Sequence, residues 1–335
     1  MKSRTKAPLS REQVDLLVKQ HFGYDASCGN LIELTGGWFN TAYLVTIPAR
    51  GIETVVKVAP DPATGVHTYE QHAMAIEVAS AKLLRENTSI PVPEILGTGF
   101  DHAIIDRDYF FMQKLDGQPW NVLKKKLPKT VNLALQRQVA AYQRELNGLR
   151  GEWFGTLISG DDDTIVEKTW HAAFSRFMDW IFSDYDRFYV KVPRGWSQAR
   201  DLLTRAKLIF DEVSEPRLVD WDLWEGNVFI AERGTGTPSI TGIIDHERAF
   251  WGDYLMEFMF MSPKRYPAVV ESYKGLIDFN LQPVQIRRAF YNLYFLLIIY
   301  LETYSRKYPV LFSISIRVYA RVGFKHNLDK IKHLL

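Results

Sequence analysis

Leu218-Val219-Asp220-Trp221-Asp222-Leu223-Trp224-Glu225-Gly226-Asn227-Val228-Phe229-Ile230, with Ile243-Ile244-Asp245 ending eighteen residues past Asn227, decides the reading of this chain. An apolar run enters a loop that carries Asp222. Asn227 follows five residues on, and a second apolar run leaves. A third apolar run then delivers Asp245. The pattern predicts strand–loop–strand with the polar groups gathered at the strand ends, where catalytic side chains are held by a rigid scaffold. Two carboxylates and an amide oxygen so placed suit phosphoryl transfer: one carboxylate accepts or orients a hydroxyl proton, and the others hold Mg²⁺ against phosphates.

Working outward, the first third of the chain is β-rich. Residues 31–47 read as two strands around Gly36-Gly37-Trp38-Phe39-Asn40, a turn whose glycines let backbone amides approach an anion. Residues 54–59 form a third strand with Lys57 in the middle of an apolar run, where an ammonium is costly without a partner. Residues 69–86 show helical spacing, and Glu77 lies where it can reach Lys57. Tyr109–Leu115 is another strand. A short helix at 10–21 with Ser10 as N-cap precedes all of these. After Asp116–Pro119 the texture turns helical, at 130–149, 167–183, 198–212 and most of 252–335. The expected organisation is an N-lobe over residues 1–115 and a C-lobe over 116–335, with a ligand between them.

In order and spacing, Asp222, Asn227 and Asp245 follow the pattern of kinase catalytic and metal loops. The chain resembles the aminoglycoside phosphotransferase and choline kinase family of small-molecule kinases. That family's catalytic loop usually reads His-Gly-Asp-Leu-His/Trp-Pro-Gly-Asn, matched here by Asp220-Trp221-Asp222-Leu223-Trp224-Glu225-Gly226-Asn227. Its metal segment often reads Ile-Asp-Trp-Glu, then an aromatic and Gly-Asp. This chain has Ile244-Asp245-His246-Glu247 and Phe250-Trp251-Gly252-Asp253. The resemblance runs from about residue 30 to 305.

It implies an α+β, two-lobed protein-kinase-like fold and ATP or GTP with Mg²⁺ as cofactors. Carried over, Asp222 is the catalytic base, Asn227 and Asp245 bind metal, and Lys57 holds phosphates and pairs with Glu77. Gly36, Gly37 and Asn40 belong to the phosphate loop, and an adenine-binding hinge falls within Met112, Gln113 and Leu115. Asp220-Trp221 departs from the usual His-Gly: Asp220 must brace the loop in another way and adds charge beside Asp222, and Trp221 excludes a conformation reserved for glycine. His246 replaces an aromatic and reads as a packed side chain before a metal ligand.

Composition sets the remaining bounds. The 335 residues are 47% hydrophobic with a formal charge of +2, so the whole-chain charge gives no basis for a nucleic-acid or membrane partner. A lone Cys28 excludes an intramolecular disulfide and fits a cytoplasmic setting. The most apolar stretch, Ala289–Leu301, is too short to span a bilayer and reads as a core helix. The partner expected is a small-molecule hydroxyl acceptor. Residues 160–190 hold seven acids against three bases, which suits a cationic, aminoglycoside-type acceptor, and the aromatics in the same stretch suit choline-, sugar- or fructosamine-type ones. From Arg306 onward seven Lys and Arg face only Asp329, a basic surface helix. A nucleotide-binding regulatory module without turnover is the reading from another class, motivated by Asp220-Trp221. A protein kinase is weaker, since no Ala-Pro-Glu segment follows Asp245.

Overall fold

The structure, a computed structural model, describes residues 6–37, 39–232, 236–306 and 308–335. Helix α1 (Arg11–Phe22) opens the chain with a capping box. The Gln13 N–H donates to Ser10 Oγ, and the Ser10 N–H donates back to Gln13 Oε1. A five-stranded antiparallel sheet follows, built from β1 (Leu31–Leu34), β2 (Thr41–Ile47), β3 (Ile52–Val58), β4 (Ile95–Gly99) and β5 (Tyr109–Gln113) in the order β1-β2-β3-β5-β4. Alternation in β2 is strict, with Thr41, Tyr43, Val45 and Ile47 buried. β3 lies centrally, pairing Lys57 with Ala42 on one side and with Phe110 on the other.

Helix α2 (Ala73–Asn87) crosses one face of this sheet with Met74 and Val78 on Val55, Phe110 and Met112. It begins later than the spacing at residue 69 suggested. Thr68–Glu70 is a separate 3-10 turn, and His72 takes a left-handed φ of 61°, which breaks the helical run.

The chain leaves the sheet at Gln113, and Gln118–Pro119 already pairs with Val228–Glu232 of the second lobe. That lobe is mainly helical: Lys129–Leu146, Trp170–Arg187, Gln282–Ser305 and Val310–Leu334 are its long members. The Ala289–Leu301 stretch lies inside the third of these with Phe290, Tyr291, Leu297 and Leu301 buried. Among the described residues, no helix is long and apolar enough to cross a membrane. The 198–212 segment is two helices, Trp196–Arg205 and Lys207–Asp211, broken at Ala206.

Two small sheets present the loops of interest. Arg217–Val219 pairs with Phe250–Gly252, and Val228–Glu232 pairs with Pro238–Ile243. Asp222 and Asn227 therefore lie on one strand connection, and Asp245 follows the last strand of the other pair. The Ile244 N–H donates to the Asn227 carbonyl at 3.0 Å and ties the two loops together.

Candidate active site

Lys57 is 5% exposed, and its ammonium finds the partner its position demands. Nζ donates to Glu77 Oε2 at 2.6 Å and to Asp245 Oδ1 at 2.7 Å, with Glu247 Oε2 at 3.9 Å. Burial alone would depress this lysine. The charges of Asp245, Glu77 and Glu247 outweigh burial and hold it protonated well above its usual range. One cation thus joins the first lobe's sheet and helix to the second lobe's Asp245.

Asp222 lies on the loop that follows Arg217–Val219. Its backbone carbonyl accepts from Asn227 Nδ2 at 2.9 Å. With that nitrogen committed to the loop, the Asn227 amide oxygen is the atom left for a ligand. Burial pushes the Asp222 carboxyl up to about 7; Arg248 opposes the shift, and Asp245 and Asp220 add to it. A carboxyl poised near neutrality suits proton transfer at physiological pH.

The sequence's two departures prove to be one interaction. His246 Nδ1 lies 3.1 Å from Asp220 Oδ2, and its Nε2 lies 3.3 Å from the Ile243 carbonyl, both groups buried. Both ring nitrogens meet acceptors, which favours the imidazolium. Burial would lower this histidine, yet Asp220 raises it. Asp220 thus braces the Asp222 loop through His246, which is packed with both ring nitrogens engaged. His246→Phe should cost roughly 2 kcal/mol by removing a hydrogen bond to a buried charged group, measured by urea denaturation.

Trp221 corrects the expectation drawn from its side chain. It does adopt the left-handed backbone, with φ 64°, that the usual glycine would take. Its ring is held against Tyr294 with centroids 5.6 Å apart, and its backbone N–H donates to Glu257 Oε2 at 3.2 Å.

Glu257 and Glu225 were not singled out from the sequence. Glu257 is fully buried and accepts from the Asp220 N–H at 3.1 Å, the Trp221 N–H at 3.2 Å and Asn147 Nδ2 at 2.8 Å. Glu225, where the resemblance would place proline, is also fully buried. It is bound by Lys124, by Arg265 Nη2 at 2.7 Å and by the Tyr266 hydroxyl at 2.7 Å. A signal for Glu257 was present: one carboxylate in Met256-Glu257-Phe258-Met259-Phe260 needs partners to be buried.

The expected phosphate loop is only partly drawn in. Asn40 Nδ2 donates to Glu247 Oε2 at 2.7 Å, closing the turn onto the metal loop. Gly36 and Gly37 have no left-handed φ, and a Cβ on Gly36 would meet nothing within 4 Å, so packing within the protein does not require glycine at Gly36. Trp38 lies outside the described residues. The expected hinge residues make local contacts as well. The Met112 carbonyl accepts from Thr54 Oγ1 at 2.7 Å and the Gln113 N–H donates to the Glu94 carbonyl at 2.8 Å, both sheet contacts. Leu115 lies past the strand end, against Gly242.

The oxygen donors fit a hard divalent cation. Asp245 engages Oδ1 with Lys57, leaving Oδ2, and Asn227 presents its amide oxygen. Asp245 also takes a left-handed φ of 64°, tolerated by aspartate and typical of a residue held for function.

The chain has no match among curated proteins. A thermostable mutant of aminoglycoside phosphotransferase APH(4)-Ia, solved with ADP and hygromycin B, superposes with a TM-score of 0.61. It is 17% identical and covers 95% of this chain and 98% of its own. The gentamicin complex of APH(2")-IIa gives 0.59 at 14% identity, over 96% and 97%. The GDP complex of aminoglycoside 2'-phosphotransferase-IIIa gives 0.57 at 17% identity, over 97% and 98%. The profile of the phosphotransferase enzyme family matches residues 30–280, well over half of the sequence. The chain belongs to that phosphotransferase enzyme family and is a phosphotransferase of two-lobed, kinase-like fold.

Proposed function

We propose that this protein transfers the γ-phosphoryl of ATP or GTP, with Mg²⁺, to a hydroxyl of a small molecule. The observation that carries this is the Lys57–Glu77–Asp245 cluster, with Asp222 and Asn227 on the adjoining loop. The lobes divide near residue 115, and the nucleotide lies between them. Lys57 holds its phosphates, Gly36, Gly37 and Asn40 cover them, and backbone groups around Leu115 meet the base. Asp245 and Asn227 hold Mg²⁺, which when bound neutralises charge on the phosphates.

Asp222 orients the acceptor hydroxyl and takes its proton as the oxygen bonds to the γ-phosphorus and the bond to the β-phosphate oxygen breaks. The nucleoside diphosphate leaves. Positioning and charge stabilisation supply most of the acceleration in such a reaction.

A cationic, aminoglycoside-type acceptor is the reading supported by the antibiotic complexes of the structural relatives. A cytoplasmic setting fits the single cysteine.

Lys57→Ala tests the nucleotide side. It removes one charge-assisted contact, so the nucleotide Kd should rise by about 10- to 100-fold, equivalent to about 1.5–3 kcal/mol. Isothermal titration with Mg-ATP and Mg-GTP measures it. Unchanged affinity for both nucleotides would remove Lys57 from the site.

A further inference from the structure

We infer that the outward face of the last helix, Val310–Leu334, docks on an anionic lipid bilayer, with the helix lying along the headgroups without crossing them. The first half of this helix is apolar on two sides. One side buries Ala320 and Phe324, and Gly323 beside them packs on Leu296 of Gln282–Ser305. The other leaves Val310, Leu311, Ile314, Val318, Tyr319 and Val322 exposed, Leu311 at 83% and Val322 at 66%. Positions 311, 314, 318 and 322 recur at steps of three and four residues, so they form one stripe along the helix. Isolated exposed apolar side chains are ordinary, whereas a continuous stripe over about three turns marks an interaction surface. A helix apolar on both sides is at home where both sides are covered, and among the described residues only one is.

Charge selects what covers the stripe. The same helix carries Arg317, Arg321, Lys325, Lys330 and Lys332 against Asp329 alone, and Asp329 reaches Lys332 at 3.9 Å. Arg317 Nε donates to Thr303 Oγ1 at 2.7 Å and Arg321 Nη2 donates to the Tyr300 hydroxyl at 2.8 Å, neutral acceptors that leave both charges uncancelled. Gly195 packs against Leu328, which brings the exposed Arg194 alongside the second half of the helix. The chain's formal charge of +2 conceals this band, because acids elsewhere, as in residues 160–190, offset it. Two copies of the helix packed face to face would crowd these cations at a helix spacing of about 8–10 Å, where like charges repel. An anionic surface reverses the sign, and each Lys or Arg near it strengthens binding by about fivefold.

Shape agrees with charge. Side chains as exposed as Leu311 and Val322 form a protruding ridge, not a groove that an acidic helix of another protein could enter. A headgroup layer closes around a ridge. It takes Leu311, Ile314, Val318 and Val322 to the acyl boundary, while the long stems of Arg321 and Lys325 let their charges stay among the phosphates. Tyr319, exposed on the flank of the stripe, has the apolar ring and polar tip that favour the membrane–water interface.

The test is co-sedimentation of the full chain with vesicles of phosphatidylcholine, alone or mixed with phosphatidylserine. The wild type should bind the mixed vesicles at least about tenfold more tightly than the neutral ones, and added salt should release it. Leu311→Asp with Val318→Asp should weaken that binding about 100-fold, since two carboxylates would have to enter the acyl boundary. Lys325→Ala should weaken it about fivefold, and as an exposed single change it keeps the test valid if the double variant folds poorly. Nucleotide affinity should be the same in all three proteins. Light scattering without vesicles should give the mass of one chain. The proposal is overturned if the mixed vesicles are not bound, if neutral vesicles are bound as tightly, or if the double variant sediments like the wild type. It is also overturned by a dimer that the double variant dissociates, which gives the face to a second copy. Binding of poly-L-glutamate as tight as that of the mixed vesicles overturns it too, and gives the face to an acidic protein.

Discussion

Asp222→Asn should lower kcat by about 10²–10⁴-fold, the range for loss of a positioned general base, and should leave nucleotide affinity near that of the wild type. Asparagine preserves the shape of the side chain, and the backbone carbonyl that holds Asn227 is untouched. The loop should therefore stay folded while the proton acceptor is lost. The same residue sets the pH dependence. Burial pushes its carboxyl up to about 7, and the ionised form is the one that accepts a proton. The kcat/KM of the wild type should therefore rise with pH through about 7 and flatten above it. A pH profile under saturating Mg²⁺ checks this, and in Asp222→Asn the residual rate should lose that limb.

The largest stability effect is expected at Glu257. Glu257→Ala strips the acceptor from three buried donors, the N–H groups of Asp220 and Trp221 and the Asn147 amide. At about 1–3 kcal/mol for each unsatisfied buried group, the loss is roughly 3 kcal/mol or more. It falls on the loop that presents Asp222, so activity and stability should fail together. Urea denaturation with an unchanged slope would register it as a stability change.

Glu257 also predicts a sign with pH. Burial, with the Asp220 charge beside it, pushes its carboxyl up to about 8 despite those donors. A group raised on folding contributes stability that is full below its unfolded pKa of about 4.5 and is lost as pH rises through about 8. Wild-type stability should decline across that window, and Glu257→Gln should flatten the decline.

The candidate set was legible because the proposed chemistry constrains its order. Lys57, Glu77, Asp222, Asn227 and Asp245 sit on a strand, a helix and two loops in the sequence kinases require, and the structure joins Lys57, Glu77 and Asp245 directly. What holds the loops was not legible, because its partners are distant or are backbone groups. Asp220 and His246 each looked like an oddity; only their meeting across 26 residues shows that one answers the other. Glu257 serves backbone N–H groups, which leave no trace in side-chain identity. Trp221 misled in a different way, since propensity weighs against a left-handed tryptophan and tertiary contacts with Tyr294 and Glu257 override it. The acidic stretch at 160–190 was read as one patch, but folding distributes those acids among separate partners, with His72 and Thr68 in the segment before α2 and Arg200 on the helix Trp196–Arg205.

The central claim is phosphoryl transfer from nucleotide to a small-molecule hydroxyl by Asp222, and the most direct measurement is of the product. The protein is incubated with Mg²⁺ and γ-labelled ATP or GTP against neutral and cationic hydroxyl compounds, in wild type and Asp222→Asn. The account predicts label on an acceptor hydroxyl with the wild type and its near-complete loss in the variant. Nucleotide that binds but never gives up its label to any acceptor, or an Asp222→Asn variant as active as the wild type, would contradict it.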